Sequence, residues 1–274
     1  MKQLIILIIF CIGLLASSCE SDTPKKSKKI NKPKSKSIVN LKYSVDAKIP
    51  HSSNSFTEGL QLHEGLLYES TGSPDNLPST TSVYGTIDTV TGEINTHAKL
   101  ESKYFGEGIC ILNNKVYQLT YKSRIGFVYD LHTKKQIKTF EIPTKEGWGL
   151  TTDGESLIMT DGSANLHFID HNTMEKTGTV KVFNNGRPLM YLNEVEYVNG
   201  FVYANVYTTD WIVKINPETG KVVAKLDVTD IKLEEDKLSS SALETNGIAY
   251  NASTKQFYVT GKMWQNIYVI SIFE

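Results

Sequence analysis

The sequence predicts an all-β protein, a five-bladed β-propeller built from four-stranded blades. Short strands with alternating apolar and polar residues recur along the chain, and the segments between them show no marked helical periodicity. A small motif opens each repeat, about 40 to 50 residues after the previous one, a period typical of propeller blades. The openings are FTEGL at 56–60, FGEGI at 105–109, EGWGL at 146–150, LNEVEY at 192–197, which lacks the glycine, and TNGIAY at 245–250.

Each repeat supplies the strands of one blade. A second strand follows the opening across a polar turn, and Asp-, Asn-, Thr- and Gly-rich turns join the third strand to the fourth. The fifth repeat ends at Glu274 without a fourth strand. We expect the N-terminal strand at 39–45 to supply it, because closing the ring removes an exposed sheet edge. Residues 231–245, rich in Glu, Lys and Ser, are predicted to form a helical or irregular excursion.

The N-terminal residues predict export and a lipid anchor. Residues 1–18 have the charged start, short apolar run and small final residues of a secretory signal, and the run is too short to span a membrane. Cys19 follows these small residues in a pattern that resembles the lipobox of bacterial lipoproteins. Residues 19–37 are rich in Lys and Ser, a composition typical of a disordered tether. We therefore expect a propeller domain at 38–274, held at the bacterial cell envelope on the periplasmic or surface side.

Charge and cysteine content exclude several classes of protein. Eight of the 29 Lys and Arg residues and two of the 30 Asp and Glu residues precede Ile38, which leaves the predicted domain near −7. Such a domain is a poor candidate for nucleic-acid binding. The basic tether is interpreted as a solvated spacer, with binding to an anionic surface as the alternative. Cys110 has no partner for a disulfide and is expected to be a small buried hydrophobe rather than a nucleophile.

The sequence contains no recognisable metal or cofactor motif. His167 and His171 are the one closely spaced histidine pair, and on a strand they would lie about 13 Å apart, too far to share an ion. No nucleophile elbow, P-loop or dinucleotide fingerprint occurs. We therefore expect neither a metal nor a cofactor.

Polar residues at the openings and at the ends of second strands are expected to meet in a central channel. Glu69 stands out because it follows an apolar and aromatic stretch at a predicted strand end. For Glu58, Glu107 and Glu194 the alternative is that they fill the channel and bind neighbouring backbones. The candidate set is Glu58, Glu69, Glu107, Gln118, Trp148, Asp161, Asn193, Glu194, Asn205, Asn246 and Lys262.

The motifs, taken in order, resemble those of the plant-type glutaminyl-peptide cyclotransferase family. The resemblance covers nearly all of residues 55–274 and is carried by FTEGL, YESTG, FGEGI, YQLTY, EGWGLTTDG, LIMTDGS, LNEVEY, YANVYTTDWI, TNGIAY and VTGKMW. It implies a metal-free five-bladed propeller that cyclises the N-terminal glutamine of peptides or proteins to pyroglutamate and releases ammonia. A monomer is expected, attached to the membrane only through Cys19.

The resemblance also implies catalytic roles. It assigns acid/base catalysis to Glu69, in the ESTG motif, and places Asn193 and Lys262 around the substrate. Cyclisation requires removal of a proton from the α-amine, stabilisation of an oxyanion and protonation of departing ammonia. A carboxylate whose pKa is raised by burial can make both proton transfers. The alternative for Glu69 is a purely structural pair with Lys262.

The implied substrate-binding residues are largely aromatic. Trp148 belongs to the GWGL motif, and Tyr207 and Tyr121 stand at positions where the family commonly has Trp. Phe56 and Glu58 complete the set, Glu58 at a position where many relatives have Gln. A longer segment at 73–79 replaces the usual short turn after ESTG, so access to the site is expected to differ.

Two other functions were compared with this one. A propeller that only binds a partner is possible because fold does not fix function. Retention of Glu69, Trp148, Asn193 and Lys262 together argues against it. A sugar or lactone hydrolase of another propeller family would generally need a metal held by carboxylates, so activity that survives a chelator would exclude it.

Overall fold

The structure, a computed structural model, describes residues 37–274, which form 22 strands and one helix. Three antiparallel sheets have four strands each. They consist of β2 (Phe56–His63), β3 (Leu66–Gly72), β4 (Val83–Ile87) and β5 (Ile94–Lys99); of β6 (Gly106–Leu112), β7 (Lys115–Thr120), β8 (Ile125–Asp130) and β9 (Gln136–Glu141); and of β10 (Leu150–Thr152), β11 (Ser156–Met159), β12 (Asn165–Asp170) and β13 (Lys176–Lys181).

The remaining strands form one ten-stranded sheet that contains two further four-stranded meanders. A short hairpin, which the sequence analysis did not predict, is attached to this sheet. The strands are β16 (Leu192–Val198), β17 (Phe201–Val206), β18 (Trp211–Asn216) and β19 (Lys221–Asp227); β20 (Thr245–Asn251), β21 (Gln256–Gly261), β22 (Asn266–Phe273) and β1 (Val39–Pro50); and the hairpin β14 (Phe183–Asn184) and β15 (Arg187–Pro188).

The N-terminal strand β1 joins the last meander, as the sequence predicted. It pairs antiparallel with β22, from Lys42 opposite Phe273 to Pro50 opposite Asn266, and therefore extends beyond the predicted end at Val45. Its first residues also pair in parallel with β19, which links the last meander to the one before it. β1 is thus paired along most of its length, with β19 at its N-terminal end and with β22 after that.

The first strands of the five meanders contact one another in a ring. β2 contacts β6, β6 contacts β10, β10 contacts β16, β16 contacts β20, and β20 contacts β2. The backbones approach so closely that glycine is required. A Cβ atom on Gly59 would lie 2.6 Å from the backbone nitrogen of Ile109, and one on Gly149 would lie 2.3 Å from the carbonyl oxygen of Asn193. The result is a propeller-like, all-β arrangement.

Local turn chemistry explains where the outer strands begin and end. Between β4 and β5 the Asp88 carboxylate accepts hydrogen bonds from the backbone nitrogens of Val90 and Thr91, at 2.8 and 3.1 Å. The corresponding carboxylates of Asp130 and Asp170 accept equivalent bonds between β8 and β9 and between β12 and β13. Such Asx turns satisfy the backbone where the chain reverses.

One helix, α1 (Thr229–Leu238), precedes the last meander, and it confirms the helical alternative predicted for this segment. Buried Glu235 holds it to the sheet. The Glu235 carboxylate accepts hydrogen bonds at 2.8 Å each from the backbone nitrogen of Gln265, the side-chain amide of Asn266 and the hydroxyl of Tyr268. Of the residues described, no helix is both long enough and apolar enough to cross a lipid bilayer.

The core lies between neighbouring meanders, where apolar residues of their facing strands interdigitate. Cys110 belongs to this core and is fully buried. Burial raises the pKa of its thiol well above the ordinary value. The residue is therefore a small core hydrophobe, as predicted, rather than a reactive thiol.

The double pairing of β1 predicts that the N-terminal strand is essential for stability. A chain that starts at Asp46 loses the pairing with β19 and half of the pairing with β22. It also loses the packing of Leu41 and Tyr43 against the core. We expect its melting temperature to fall by roughly 10 °C or more, since each kcal/mol shifts it by about 2 to 4 °C in a domain of this size. A chain that starts at Ser37 is the control, and equal melting of the two chains would refute the role of β1.

Candidate active site

The opening motifs carry β-bulges that turn polar side chains toward the axis of the ring. Register shifts interrupt the pairing of four first strands, β2, β6, β16 and β20, just inside their N-terminal ends. A bulge places two residues opposite one and redirects the side chain of the extra residue. The residues within these four shifts include Glu58, Glu107, Asn193 and Asn246, and Trp148 holds the matching position in the third motif.

All of these positions except Asn246 line a cavity of about 520 Å³. First strands begin at this end of the ring and second strands finish there, so residues from both converge. The cavity is lined by Phe56, Glu58, Ser73, Pro74, Asp75, Ser102, Lys103, Tyr104, Phe105, Glu107, Tyr121, Trp148, Asn193, Tyr207 and Lys262.

Five aromatic side chains surround the cavity in sequence. Neighbouring ring centroids are 5.9 Å apart for Phe56 and Phe105, 5.9 Å for Phe105 and Tyr121, 6.4 Å for Tyr121 and Trp148, and 5.7 Å for Trp148 and Tyr207. Edge-to-face and tilted contacts of this kind hold the rings in fixed orientations. The ammonium group of Lys262, the residue after β21, lies between the two ends of this series. It is 4.5 Å from the ring centroid of Phe56 and 5.5 Å from that of Tyr207.

That lysine, Lys262, forms a buried ion pair with Glu58. Its Nζ lies 2.7 Å from Glu58 Oε1, and Asn246 donates a hydrogen bond of 3.0 Å to the other carboxylate oxygen. Burial raises the pKa of Glu58, although the charge of Lys262 opposes the shift. Burial lowers the pKa of Lys262, but the carboxylates of Glu58 and Glu107 raise it more, so the ammonium form is favoured.

Glu107 and Asn193 are buried polar residues that face the cavity without a side-chain partner. They are 5% and 3% exposed, and neither side chain forms a hydrogen bond with another residue of the described range 37–274. Burial, followed by the nearby charge of Glu58, raises the pKa of Glu107 well above the ordinary glutamate value. Buried polar groups normally have a hydrogen-bond partner, so the side chains of Glu107 and Asn193 are available to bind a ligand.

Seven of the eight catalytic and binding residues predicted from the sequence line the cavity. They are Phe56, Glu58, Tyr121, Trp148, Asn193, Tyr207 and Lys262. Cys19, predicted as the lipid anchor, lies outside the described residues.

Glu69 is the exception, and it lies away from the cavity. It occupies the middle of β3 and is fully buried. Its carboxylate accepts a hydrogen bond of 2.7 Å from the hydroxyl of Thr57 and lies 3.0 Å from His51 Nε2. The other ring nitrogen of His51 lies 2.9 Å from the carbonyl oxygen of Trp264, to which it can only donate. Both ring nitrogens therefore face acceptors, which favours the imidazolium form and a buried ion pair.

The charge of Glu69 also favours the imidazolium form of His51. Burial lowers the pKa of His51, but the Glu69 carboxylate and the carbonyl of Trp264 together raise it more, and the net shift is upward. Glu69 is thus paired with His51. The structural alternative predicted a pair of Glu69 with Lys262, but Lys262 is paired with Glu58. No local signal in the sequence marks this pair, because His51 follows β1 in the last meander whereas Glu69 lies on β3 in the first.

Other residues of the site were underestimated from the sequence. Phe105 supplies one of the five rings, and residues 73–75 and 102–104 line the outer part of the cavity. Glu107 was only one of several channel residues. The signal that could have ranked it higher is its position in FGEGI, which matches that of Glu58 in FTEGL.

No metal-binding cluster is present among the side chains of residues 37–274, because no three His, Cys, Asp or Glu residues are suitably grouped. His167, on β12, has an acidic neighbour, with its Nε2 3.1 Å from Asp161 Oδ2.

Known proteins resemble this chain in sequence and in fold. The chain is 36% identical to the glutaminyl-peptide cyclotransferase of Arabidopsis thaliana over 231 residues, which are 83% of this chain and 70% of that protein. The crystal structure of Myxococcus xanthus glutaminyl cyclase superposes with a TM-score of 0.78 at 26% identity, covering 86% of this chain and 98% of that one. Residues 13–272 match the family model described as glutamine cyclotransferase. The chain therefore belongs to the glutamine cyclotransferase family.

Proposed function

We propose that the protein is a glutaminyl-peptide cyclotransferase that converts the N-terminal glutamine of peptides or proteins to pyroglutamate and releases ammonia. One observation carries the proposal. A single cavity brings together an unpaired carboxylate of raised pKa, a lysine ammonium group and a free amide, inside a ring of aromatic side chains. Membership of the family, and the likeness to a glutaminyl-peptide cyclotransferase and a glutaminyl cyclase, support the same reaction.

The reaction sets three requirements. A bond forms between the substrate's α-nitrogen and its own Cδ, and the bond from Cδ to the side-chain nitrogen breaks. The amine must lose a proton to attack, the carbonyl oxygen must be stabilised as it becomes negative, and the leaving nitrogen must gain a proton to depart as ammonia. One proton moved from the first nitrogen to the second balances the reaction.

Glu107 is the residue best placed to move that proton. Its carboxylate faces the cavity and makes no side-chain hydrogen bond to another described residue, whereas the carboxylate of Glu58 is held by Lys262 and Asn246. A pKa raised by burial brings the carboxyl group closer to that of the substrate amine, about 8, which favours transfer in both directions. We therefore assign to Glu107 the role that the sequence resemblance gave to Glu69.

The remaining groups stabilise and orient the substrate. Lys262 and the amide of Asn193 supply donors for the developing oxyanion, and a lysine already held by Glu58 needs little rearrangement to do so. The aromatic side chains around the cavity, Trp148 and Tyr207 among them, confine the glutaminyl side chain in the folded conformer that brings amine and carbonyl together.

We also propose that the five meanders are the blades of one five-bladed β-propeller. The ring of contacts between their first strands supports this arrangement. All the residues that line the cavity belong to one chain, which is consistent with a monomer as the active form.

Replacing Glu107 by Gln should lower kcat by about 10²- to 10⁴-fold with little change in KM, because the amide keeps the shape but cannot carry the proton. Ammonia release from a Gln-initiated peptide measures both constants. Glu69→Gln is the matched control, and it should lower the melting temperature by leaving His51 without its partner while kcat stays near that of the wild type. A Glu107→Gln variant that keeps most of its kcat would remove Glu107 from the mechanism. EDTA should leave the rate of ammonia release by the wild type unchanged, since the proposed steps use protein side chains alone.

The pH dependence should report the pKa of Glu107. Protonated Glu107 cannot accept the amine proton, so activity should fall on the acid side at a pH above the ordinary glutamate range. Glu58→Gln removes a negative charge that raises this pKa, and it should move the acid limb of kcat/KM to lower pH. The exposed residue Glu218, replaced by Gln in the same way, should leave the limb where it is. An acid limb that is unmoved, or displaced upward, in Glu58→Gln would contradict the assignment.

We further propose that Cys19 carries a lipid that holds the enzyme at the bacterial cell envelope, because small residues precede it and a polar tether follows. Replacing Cys19 by Ala should shift the protein from the membrane fraction to the soluble fraction, with the turnover number unaltered. Fractionation followed by an activity assay on each fraction measures both effects. Membrane association that persists without Cys19 would rule out this anchor.

A further inference from the structure

The cavity is larger than one glutaminyl residue needs. Cavities of roughly 300 to 1,000 Å³ hold drug-sized ligands, and this one, at about 520 Å³, lies in that range. The polar and aromatic groups assigned to the reaction occupy its inner part. The outer part is lined by residues 73–75, which follow β3, and by residues 102–104, which precede β6. We call these two segments the outer subsite.

The outer subsite is preformed. The hydroxyl of Ser73 donates to the carbonyl of Thr80 at 3.1 Å, and the hydroxyl of Thr80 donates to the carbonyl of Leu77 at 2.7 Å, so the segment after β3 is closed on itself. On the other side the ring of Tyr104 packs edge-on against Phe127, with centroids 5.2 Å apart. A surface that is ordered before binding loses little entropy when a ligand settles on it.

The charges of the outer subsite are unequal. Lys103 is balanced, because its Nζ lies 3.0 Å from a carboxylate oxygen of Glu101. Asp75 is exposed, and its carboxylate has no hydrogen bond or ion pair with any other residue in the range 37–274. The unbalanced charge at the outer end of the cavity is therefore negative, and a ligand that passes it meets the field of Asp75.

A substrate peptide has to pass this way. If the terminal glutamine lies among the aromatic rings, the chain that follows advances by about 3.4 Å per residue in an extended conformation and enters the outer part of the cavity. We propose that the outer subsite binds the second residue of the substrate and, through Asp75, favours a basic side chain there over an acidic one. This inference rests on the proposed cyclotransferase function and adds a determinant of its specificity.

The test compares two peptides that differ only at the second residue, Gln-Lys-Ala and Gln-Glu-Ala, with the full-length chain at low ionic strength. We expect kcat/KM to be about 2- to 10-fold higher for the lysine peptide, as befits an exposed charge pair, and the ratio to shrink as salt is added. Asp75→Asn removes the charge and should bring the ratio closer to one. Asp75→Lys should make the glutamate peptide the better substrate.

Glu218→Lys is the control for the long-range effect of net charge, because Glu218 is an exposed acid in the β18–β19 turn, at the opposite end of the strands. It should leave the ratio close to that of the wild type. If both peptides react but the ratio is near one, or Asp75→Lys changes it no more than Glu218→Lys does, the outer subsite does not select the second residue. If neither peptide is cyclised, the proposed function itself fails, and this inference fails with it.

Discussion

The close approach of five strands around one axis is the constraint on which the rest of the structure depends. Four of the five opening motifs meet it with a glycine, and the fourth motif has Glu194 at the corresponding position. The Glu194 carboxylate reaches across the axis and accepts hydrogen bonds from the backbone nitrogens of Leu60, at 3.3 Å, and Ile248, at 2.8 Å. The missing glycine is thus replaced by a side chain that joins three of the strands, β16, β2 and β20.

The site at this axis concentrates features that cost folding free energy. Two carboxylates and one ammonium group are buried together, and for both carboxylates the cost of desolvation outweighs the attraction of the ammonium group. The backbone adds local strain. Tyr191, Thr208 and Met263 adopt left-handed φ angles of 66°, 67° and 61°, each within two residues of a group that lines the cavity. Strained residues cluster where a fold has to fix side chains for function.

The sequence predicted the architecture well because its signals repeat. The opening motifs, the Asx turns and the unpaired last strand each point to the same plan, and seven site residues followed from motif positions. Glu69 was misplaced because alternation shows that a side chain is buried but not against what. β3 continues to Gly72, so Glu69 is not at the strand end, and its partner His51 comes from the residue after β1. Contacts between distant strands of this kind leave no local trace.

The double pairing of β1 also bears on the order in which the molecule assembles. The first strand to be synthesised finds its partners β19 and β22 only near the end of the chain, with Lys42 opposite Phe273. Contacts of such long sequence separation close slowly, whereas each meander is made of neighbours in the chain. The four complete meanders can therefore form as the chain emerges, while β1 stays unpaired until β19 and β22 have been synthesised. The pairing of β1 is thus the last step of assembly, and it joins the final meander to the one before it.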